Sequence, residues 1–309
     1  YDSARFLVTM EQAVERSKAV ADEGLKAYAE AQRVYFHLEM GVWPGDREQT
    51  ALVRAIDAAR EAGNWPTLAL YLMLYTAFEL YRSDYRTALA AAREYSQLGR
   101  ELGDGFHCAA GDVSKTWALL HLGEWGELRK LLAEGLRAAE QNASPFVQTL
   151  LQLLAAWLHL EALDFQGGLA LCERAQPRLG DPHAVIFRPI LLGRAHLGLG
   201  QYDEAPRCFA EITSGMEAGV LIRRRFGMMF HHGVGEYWLA QREPARARAE
   251  ADKLFELAGP PGERAYLALG HRLLTEIAMA EHAWEEALAH LSRALAIVDA
   301  EGAELPLAA

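Results

Sequence analysis

Two pairs of side chains in this sequence have residue types that could hold a metal ion. His231 and His232 are neighbours, and adjacent side chains on a helix cannot both face one direction. Glu286 and His290 lie four residues apart and share a helix face, as two metal ligands would, but no third ligand accompanies them. We therefore expect no metal site and interpret Glu286 and His290 as a surface pair.

Motifs for nucleotide binding and for hydrolysis are missing from the sequence. There is no G-x-x-x-x-G-K-[ST], no G-x-G-x-x-G, no H-E-x-x-H and no G-x-S-x-G, so these chemistries lack their minimum parts. Cys108, Cys172 and Cys208 are far apart and in no C-x-x-C spacing, which predicts neither a disulfide framework nor a zinc site. We expect a protein that is not an enzyme and has no cofactor.

Seven other residues have types that suit a binding surface and recur at spacings near forty. Large indoles can anchor apolar groups of a partner, and charged side chains can meet its polar groups. The candidates are Trp117, Trp157, Arg194, His232, Glu236, Arg272 and Glu276. The structural elements that carry these residues must therefore repeat with the same period.

Helix-breaking turns recur with that period. Their marker residues are Tyr85, Trp125, Phe165, Tyr202, Pro244 and Trp284, at spacings of 40, 40, 37, 42 and 40. Three residues after each marker stand Ala88, Leu128, Gly168, Ala205, Ala247 and Ala287. Small residues let two helix backbones approach closely, so each turn predicts a hairpin of a helix A and a helix B. Leu128 predicts a slightly wider hairpin, and Gly193 and Gly235 predict close contact of helix A with helix B.

Apolar periodicity predicts an all-α fold of about fifteen helices with almost no sheet. The expected helices are 3-21, 24-40, 47-62, 66-82, 85-102, 106-122, 125-140, 146-162, 165-178, 184-199, 202-216, 222-241, 244-258, 263-281 and 284-300. Because repeat units pack on their neighbours and no linker interrupts the pattern, we expect one domain over 1-309. The chain opens on Tyr1 without Met, which favours a fragment of a longer protein.

The segment from Leu192 to Ala205, L-G-R-A-H-L-G-L-G-Q-Y-D-E-A, resembles the tetratricopeptide repeat (TPR) signature. Gly193, Gly200 and Tyr202 stand at its small and aromatic positions, and Ala283 to Ala287 is similar. The resemblance covers about 24-300 and implies a right-handed superhelix, an α-solenoid, of about seven antiparallel hairpins. The period is nearer 40 than the family's 34, and the Pro that closes the family's helix B is mostly absent.

Longer repeats of this kind resemble the C-terminal helical arrays of bacterial maltose-regulator-type activators and related signalling ATPases. In those families the array is a sensor or docking module, and the nucleotide-binding and DNA-binding parts lie elsewhere in the chain. The resemblance therefore implies a non-catalytic interaction module of a larger bacterial regulator. Its partner would be a protein or peptide segment, or a small effector.

In such a stack the A helices line the concave side. Aligning the units gives two rows of residues that would face a partner. They are Met73, Val113, Leu153, Ile190, His232 and Arg272, and Ala77, Trp117, Trp157, Arg194, Glu236 and Glu276. We expect an apolar groove up to about residue 160 and a charged one from Arg194 onward. Two alternatives stay open: the indoles could belong to the core, and Arg272 and Glu276 could pair along the helix.

Charge limits the classes of partner. The 42 acidic and 31 basic residues give a net charge of −11, which opposes binding to nucleic acid and to anionic membranes. The uncharged stretch 141-160 contains too many polar groups for a membrane span and predicts a buried helix. No secretory leader is evident, so we expect a cytoplasmic protein.

Two other functions remain open. One is a self-association scaffold, a homodimer, which an exposed apolar patch around Trp43, Trp65 and Tyr71 would favour. The other is an all-helical enzyme with its active site in the concave cavity. Such an enzyme would concentrate ionisable groups at one depth.

Overall fold

Every regular element in the described part of the chain is an α-helix. The computed structural model describes residues 3–21, 23–39, 46–141, 145–176, 182–217, 223–259 and 263–300, and no strand occurs within these ranges. The helices are α1 (Ser3–Ser17), α2 (Glu23–Glu39), α3 (Asp46–Glu61), α4 (Trp65–Tyr81), α5 (Tyr85–Glu101), α6 (Gly105–His121), α7 (Trp125–Gln141), α8 (Pro145–Glu161), α9 (Phe165–Arg174), α10 (Pro182–Gly198), α11 (Ala205–Glu217), α12 (Arg223–Ala240), α13 (Pro244–Ala258), α14 (Arg264–Ala280) and α15 (Trp284–Val298). The predicted all-α class is confirmed.

Three helix ends differ from the prediction by three residues or more. Helix α1 ends at Ser17 rather than at residue 21, and the other two differences involve proline. Helix α9 ends at Arg174 because Pro177 disfavours helical backbone at Gln176. Helix α11 begins at Ala205 because Pro206 fits the first turn, where no backbone N–H is needed. The segment before it, including Tyr202, forms a turn.

The helices pack in adjacent pairs and form two layers. Even-numbered helices from α2 to α14, the A helices, each contact the next A helix along the chain. Odd-numbered helices from α3 to α15, the B helices, contact A helices and, within the described residues, no other B helix. The A helices therefore form the inner layer of the packing, and side chains from different A helices can meet.

A left-handed residue ends the A helix at six hairpin turns. These residues are Ser83, Gly123, Leu163, Gly200, Arg242 and His282, with φ between 59° and 70°. Their spacing is that of the turn markers two residues later. A residue in this conformation lets the chain reverse after a helix. Glycine at position 200 is consistent with this conformation. Four of the other five turns have a residue other than glycine at this position, so the sequence does not indicate the conformation there.

The small residues after the turns are buried where helix A meets helix B. Ala88, Gly168, Ala205 and Ala247 all lie in the interior. Leu128 is buried too. The wider hairpin expected from Leu128 stays a prediction.

The two helix-interior glycines make room for different neighbours. A methyl group at Gly193 would lie 2.4 Å from the ring of Phe209 on α11, as expected for contact of helix A with its own helix B. A methyl group at Gly235 would instead lie 2.5 Å from Leu273 on α14. The prediction for Gly235 was wrong because its side of α12 faces the next A helix.

An aromatic centre joins four A helices. We use this name for Trp117 on α6, Trp157 on α8, Phe187 on α10 and Phe226 on α12. The ring centroids of Trp117 and Trp157 lie 4.8 Å apart, and Trp117 also lies 6.1 Å from Phe187 and 6.4 Å from Phe226. Helices that are not consecutive A helices therefore meet at these rings.

A second contact between distant elements lies at the start of α14. The backbone N–H of Ala265 donates to the hydroxyl of Ser83 in the α4–α5 turn, at 3.2 Å. These residues are 182 positions apart in the chain. The start of α14 thus contacts the turn between α4 and α5.

Candidate functional site

A cavity of about 780 Å³ opens at the carboxyl ends of the A helices α8, α10, α12 and α14. Its lining is Gly123, Trp125, Leu160, Glu161, Leu163, Phe165, Arg194, Leu197, Gly198, Tyr202, Glu236, Leu239, Ala240, Arg272 and Glu276. Aromatic and aliphatic side chains from the hairpin turns form one part of this lining. The other part of the lining is charged. The volume of the cavity lies in the range of pockets that bind small organic ligands, about 300 to 1,000 Å³.

Five charged side chains from successive A helices meet in this cavity. We call them the polar pocket: Glu161 on α8, Arg194 on α10, Glu236 on α12, and Arg272 and Glu276 on α14. They converge because consecutive A helices lie side by side and each residue occupies the second half of its helix. Three carboxylates and two guanidinium groups therefore share one space.

Glu161 and Arg194 form a tight and mostly buried ion pair. One Glu161 carboxylate oxygen accepts from the Arg194 guanidinium at 2.9 Å and from the Trp157 indole N–H at 2.7 Å. Each charged side chain is 18% exposed. Burial alone would raise the pKa of Glu161, but Arg194 and the indole outweigh it and lower that pKa. Burial opposes the charge of Arg194 too, yet Glu161 and Glu236 raise the Arg194 pKa.

Glu236 is held ionised by the arginine and histidine side chains around it. Its carboxylate lies 3.5 Å from the His232 Nδ1 and 4.0 Å from an Arg272 guanidinium nitrogen. Burial would raise the pKa of Glu236, but His232, Arg194 and Arg272 together lower it to about 2. This carboxylate therefore stays charged over the whole physiological range of pH.

Arg272 and Glu276 are the most accessible members of the polar pocket. Their side chains are 38% and 45% exposed, and Arg272 Nε lies 3.8 Å from the Glu276 carboxylate. That distance exceeds hydrogen-bond length, so each group keeps hydrogen-bonding capacity for the cavity. Burial, and Glu236 nearby, raise the pKa of Glu276 despite Arg272. The charged form of Glu276 is thus incompletely stabilised.

The structure brings together most of the residues that the sequence singled out. Arg194, Glu236, Arg272 and Glu276 line the polar pocket. His232 is buried and contacts Glu236 from below, where it lines a small cavity of about 30 Å³ with Trp157 and His121. Five of the seven candidates therefore belong to one charged network.

The two indoles lie elsewhere than expected. Trp117 is 7% exposed and Trp157 is 3% exposed, and both pack in the aromatic centre. Leu153 and Ile190 of the same rows are fully buried. The expectation of an open apolar groove at these residues does not hold in this conformation, because A helices that are not consecutive converge there. A partner-binding role for Trp117 and Trp157 stays a prediction.

Sequence analysis missed Glu161. It follows Trp157 by four residues, so the two share a helix face, and this spacing is the signal that could have indicated the contact. The aligned rows stopped at Trp157. One further turn along α8 would have reached the carboxylate that fixes Arg194.

The exposed apolar surface lies at the last hairpin rather than the first. Trp65 is exposed, Tyr71 is buried, and Trp43 lies outside the described residues. Helix α15 instead carries an exposed stripe of four apolar side chains, 41 to 64% exposed: Trp284, Leu288, Leu291 and Leu295. Among the described side chains, no other helix carries so many.

The histidine pairs contact protein groups. His231 bonds Glu250 at 2.6 Å, while His232 faces Glu236, so the two imidazoles diverge as expected. His290 lies 3.7 Å from Glu286 and 3.2 Å from His271. Within the described ranges, no three His, Cys, Asp or Glu residues are grouped to hold a metal ion.

The described helices include none with both the length and the apolar composition to cross a membrane. Helix α8, which covers residues 145–160 of the uncharged stretch, is instead buried in the core as predicted. No protein-family model matches the sequence, and no curated protein matches it either. The geometry of the polar pocket and its surroundings is therefore the basis for assigning a function.

Proposed function

We propose that this chain is a non-catalytic binding module whose helices form a TPR-like right-handed superhelix. It would be the sensing or docking region of a larger, cytoplasmic bacterial regulator. Its partner, a peptide segment or a small effector, would bind in the polar pocket. The observation that carries this proposal is the open cavity in which four successive A helices present charged side chains beside an apolar lining.

The shape of the site supports binding. Trp125, Phe165 and Tyr202 stand at equivalent turns of successive hairpins and all line the cavity. Aromatic side chains in a concave site can bury a large apolar area of a ligand. The repeat therefore supplies a row of aromatic contacts beside the charged groups.

The organisation of the charges also supports binding. The Arg194–Glu161 pair is fixed by short hydrogen bonds and by the Trp157 indole, so the base of the site is preorganised. Arg272 and Glu276 are held less tightly and reach the cavity. A fixed base with available donors and acceptors reduces the entropy lost when a ligand binds.

A catalytic pocket is the first alternative. Ionisable groups do gather at one depth, and the pKa values of Glu236 and Glu276 are displaced in opposite directions, as in acid/base pairs. Among the described residues, however, the lining includes no Ser, Thr, Cys or Lys. A carboxylate could act as nucleophile or as general acid or base, but Glu161 is hydrogen-bonded to Arg194, and Glu236 is in ion-pair contact with His232 and Arg272. Two of the three carboxylates are therefore engaged by protein side chains, so binding is the function that the geometry supports better.

Self-association is the second alternative, and the α15 stripe favours it. Four large apolar side chains on one exposed helix face are typical of a protein interface. The matched test is the mass in solution over a range of concentrations, for the parent and for Leu288→Asp with Leu291→Asp. A concentration-independent monomer removes this alternative.

The binding proposal can be tested with a set of tripeptides that contain Phe, Leu, Lys or Glu, with free and with capped ends. Thermal shift assays identify the peptides that stabilise the protein, and calorimetry then measures their affinity. We expect Arg272→Met and Glu276→Gln to weaken these peptides by about tenfold, which corresponds to about 1.4 kcal/mol. Mass spectrometry of the recovered peptide distinguishes binding from turnover.

Arg246→Met is the matched control, because Arg246 lies over the Trp238 ring in another cavity on α12 and α13. This variant should bind the peptides as the parent does. Stabilising peptides that are insensitive to both pocket variants would contradict the proposal. So would a complete set in which no peptide stabilises the protein.

A further inference from the structure

Among the described residues, Arg272 and Glu276 of the polar pocket take part in ion pairs but make no hydrogen bond to the protein. Glu161 accepts two hydrogen bonds at 2.7 and 2.9 Å, and Arg194 donates one of them. Arg272 and Glu276 approach each other only to 3.8 Å, and Arg272 approaches Glu236 only to 4.0 Å. Neither distance is a hydrogen bond.

These two groups are adjacent and both face the cavity. They lie four residues apart on α14, so their side chains project from the same face of the helix. A guanidinium group offers a planar fork of donors that matches a carboxylate. A carboxylate next to it can accept from an ammonium group. The site thus offers one anion position and one cation position side by side.

We propose that the polar pocket binds a free α-amino acid with a large apolar side chain. This inference rests on the proposed binding function and names the class of effector. The carboxylate of the amino acid would accept hydrogen bonds from Arg272, and its ammonium group would donate to Glu276. Its side chain would contact Phe165, Tyr202 and the neighbouring apolar lining.

The electrostatic state of Glu276 supports this arrangement. Burial and Glu236 raise its pKa, so the ionised form lacks a sufficient positive partner in the free protein. An ammonium group would supply that partner. A ligand with a carboxylate alone would add another negative charge near Glu236 and Glu276. A ligand with an ammonium group alone would leave the hydrogen-bond donors of Arg272 without an acceptor.

Three probes with the same phenyl group separate the contributions of the two charges. L-phenylalanine carries both charges, phenethylamine only the positive one, and 3-phenylpropanoate only the negative one. We expect calorimetry to show L-phenylalanine binding at least about tenfold more tightly than either single-charge probe. Glycine carries both charges without the apolar group and should bind at least about tenfold more weakly than L-phenylalanine.

Variants then assign each charge to its residue. In Arg272→Met, L-phenylalanine should bind no more tightly than phenethylamine, and phenethylamine should bind at least as tightly as it binds the parent. In Glu276→Gln, L-phenylalanine should bind no more tightly than 3-phenylpropanoate, which should gain affinity because a nearby negative charge is removed. Arg246→Met should alter none of the affinities. Circular dichroism and thermal unfolding verify that each variant is folded.

The outcomes distinguish the two levels of the proposal. Equal affinity for L-phenylalanine and a single-charge probe would overturn the amino-acid inference, and so would an L-phenylalanine affinity that neither variant lowers. No binding of L-phenylalanine, L-leucine or L-tryptophan would overturn it as well. In each of these cases the tripeptide test decides separately whether the pocket is a binding site.

Discussion

The aromatic centre and the polar pocket share the A helices α8, α10 and α12, and on α8 they lie about one helical turn apart. On α8, Trp157 lies in the aromatic centre and Glu161, four residues later, lies in the polar pocket. On α10, Ile190 is fully buried and Arg194 reaches the cavity. One turn toward the carboxyl end therefore separates a tightly packed apolar region from an open charged one.

This difference shows that depth along the helix axis decides what a residue on an A helix does. Sequence analysis expected the character to change along the array, from apolar units to charged units. The later A helices do carry more charged residues. The polar pocket, however, forms because the side chains change from apolar to charged toward the carboxyl ends of α8 and α10. Trp157 belongs to both regions, because its ring packs against Trp117 and its N–H donates to Glu161.

The largest expected effect is on the aromatic centre. Trp157→Ala should lower the free energy of unfolding by about 3 to 5 kcal/mol, because it removes a buried ring and leaves a cavity. Urea unfolding followed by circular dichroism measures this change. Trp157→Phe keeps most of the ring but removes the bond to Glu161, and should cost less.

Trp65→Ala is the matched control for Trp157→Ala. Trp65 also lies on an A helix but is 46% exposed, so its loss should cost less than about 1 kcal/mol. If both tryptophan variants lost the same stability, the contrast between a packed centre and the surface of the A-helix layer would be refuted.

The next effect concerns the base of the polar pocket. Arg194→Met leaves the Glu161 carboxylate buried without its cation and should cost about 2 to 4 kcal/mol. Glu161→Gln in addition removes that uncompensated charge, so the double variant should recover part of the loss. A double-mutant cycle in urea measures the coupling between the two side chains.

An exposed pair provides the control for this cycle. Arg93 and Glu127 also join consecutive units, with hydrogen bonds of 2.8 and 2.9 Å, but their side chains are about half exposed. Their coupling should stay below about 1 kcal/mol. Equal coupling in the two pairs would mean that the polar pocket is no more protected from water than the outer surface.

The helices could be predicted from the sequence because the residues that begin and end them form local patterns. Turn markers such as Tyr85 and Trp284 begin helices within one residue of the expected positions. The charged row of Arg194, Glu236 and Glu276 also followed from the period, because equivalent positions on stacked helices meet. The TPR-like superhelix itself stays a prediction, since neither a family model nor a curated relative supports it.

Burial of the indoles could not be predicted in this way. It depends on contacts such as Trp117 with Phe226, which lie on helices that are far apart in the chain. Packing between A helices that are not consecutive brings them together, and no local pattern encodes that packing. The position of Glu161 was within reach, since it needed only the i, i+4 relation to Trp157.

The smallest expected effect is a difference in how Glu236 and Glu276 of the polar pocket contribute to stability as the pH changes. The pKa of Glu236 is lowered from 4.5 to about 2, so its contribution to stability is present above pH 4.5 and is lost as the pH falls toward 2. The pKa of Glu276 is raised above 4.5, so its ionisation costs stability at neutral pH, and that cost disappears as the pH falls.

Glutamine substitutions should therefore have opposite signs at neutral pH. Glu236→Gln should destabilise the protein by about 1 to 3 kcal/mol at pH 7, with the deficit shrinking below pH 4.5, because glutamine resembles the protonated acid. Glu276→Gln should leave stability unchanged or raise it slightly at pH 7, since its side chain is 45% exposed. Thermal unfolding of both variants between pH 7 and pH 3.5 measures these differences. Two variants that lose equal stability at pH 7 would show that Glu276 is as firmly paired as Glu236, which would remove the free acceptor on which amino-acid binding depends.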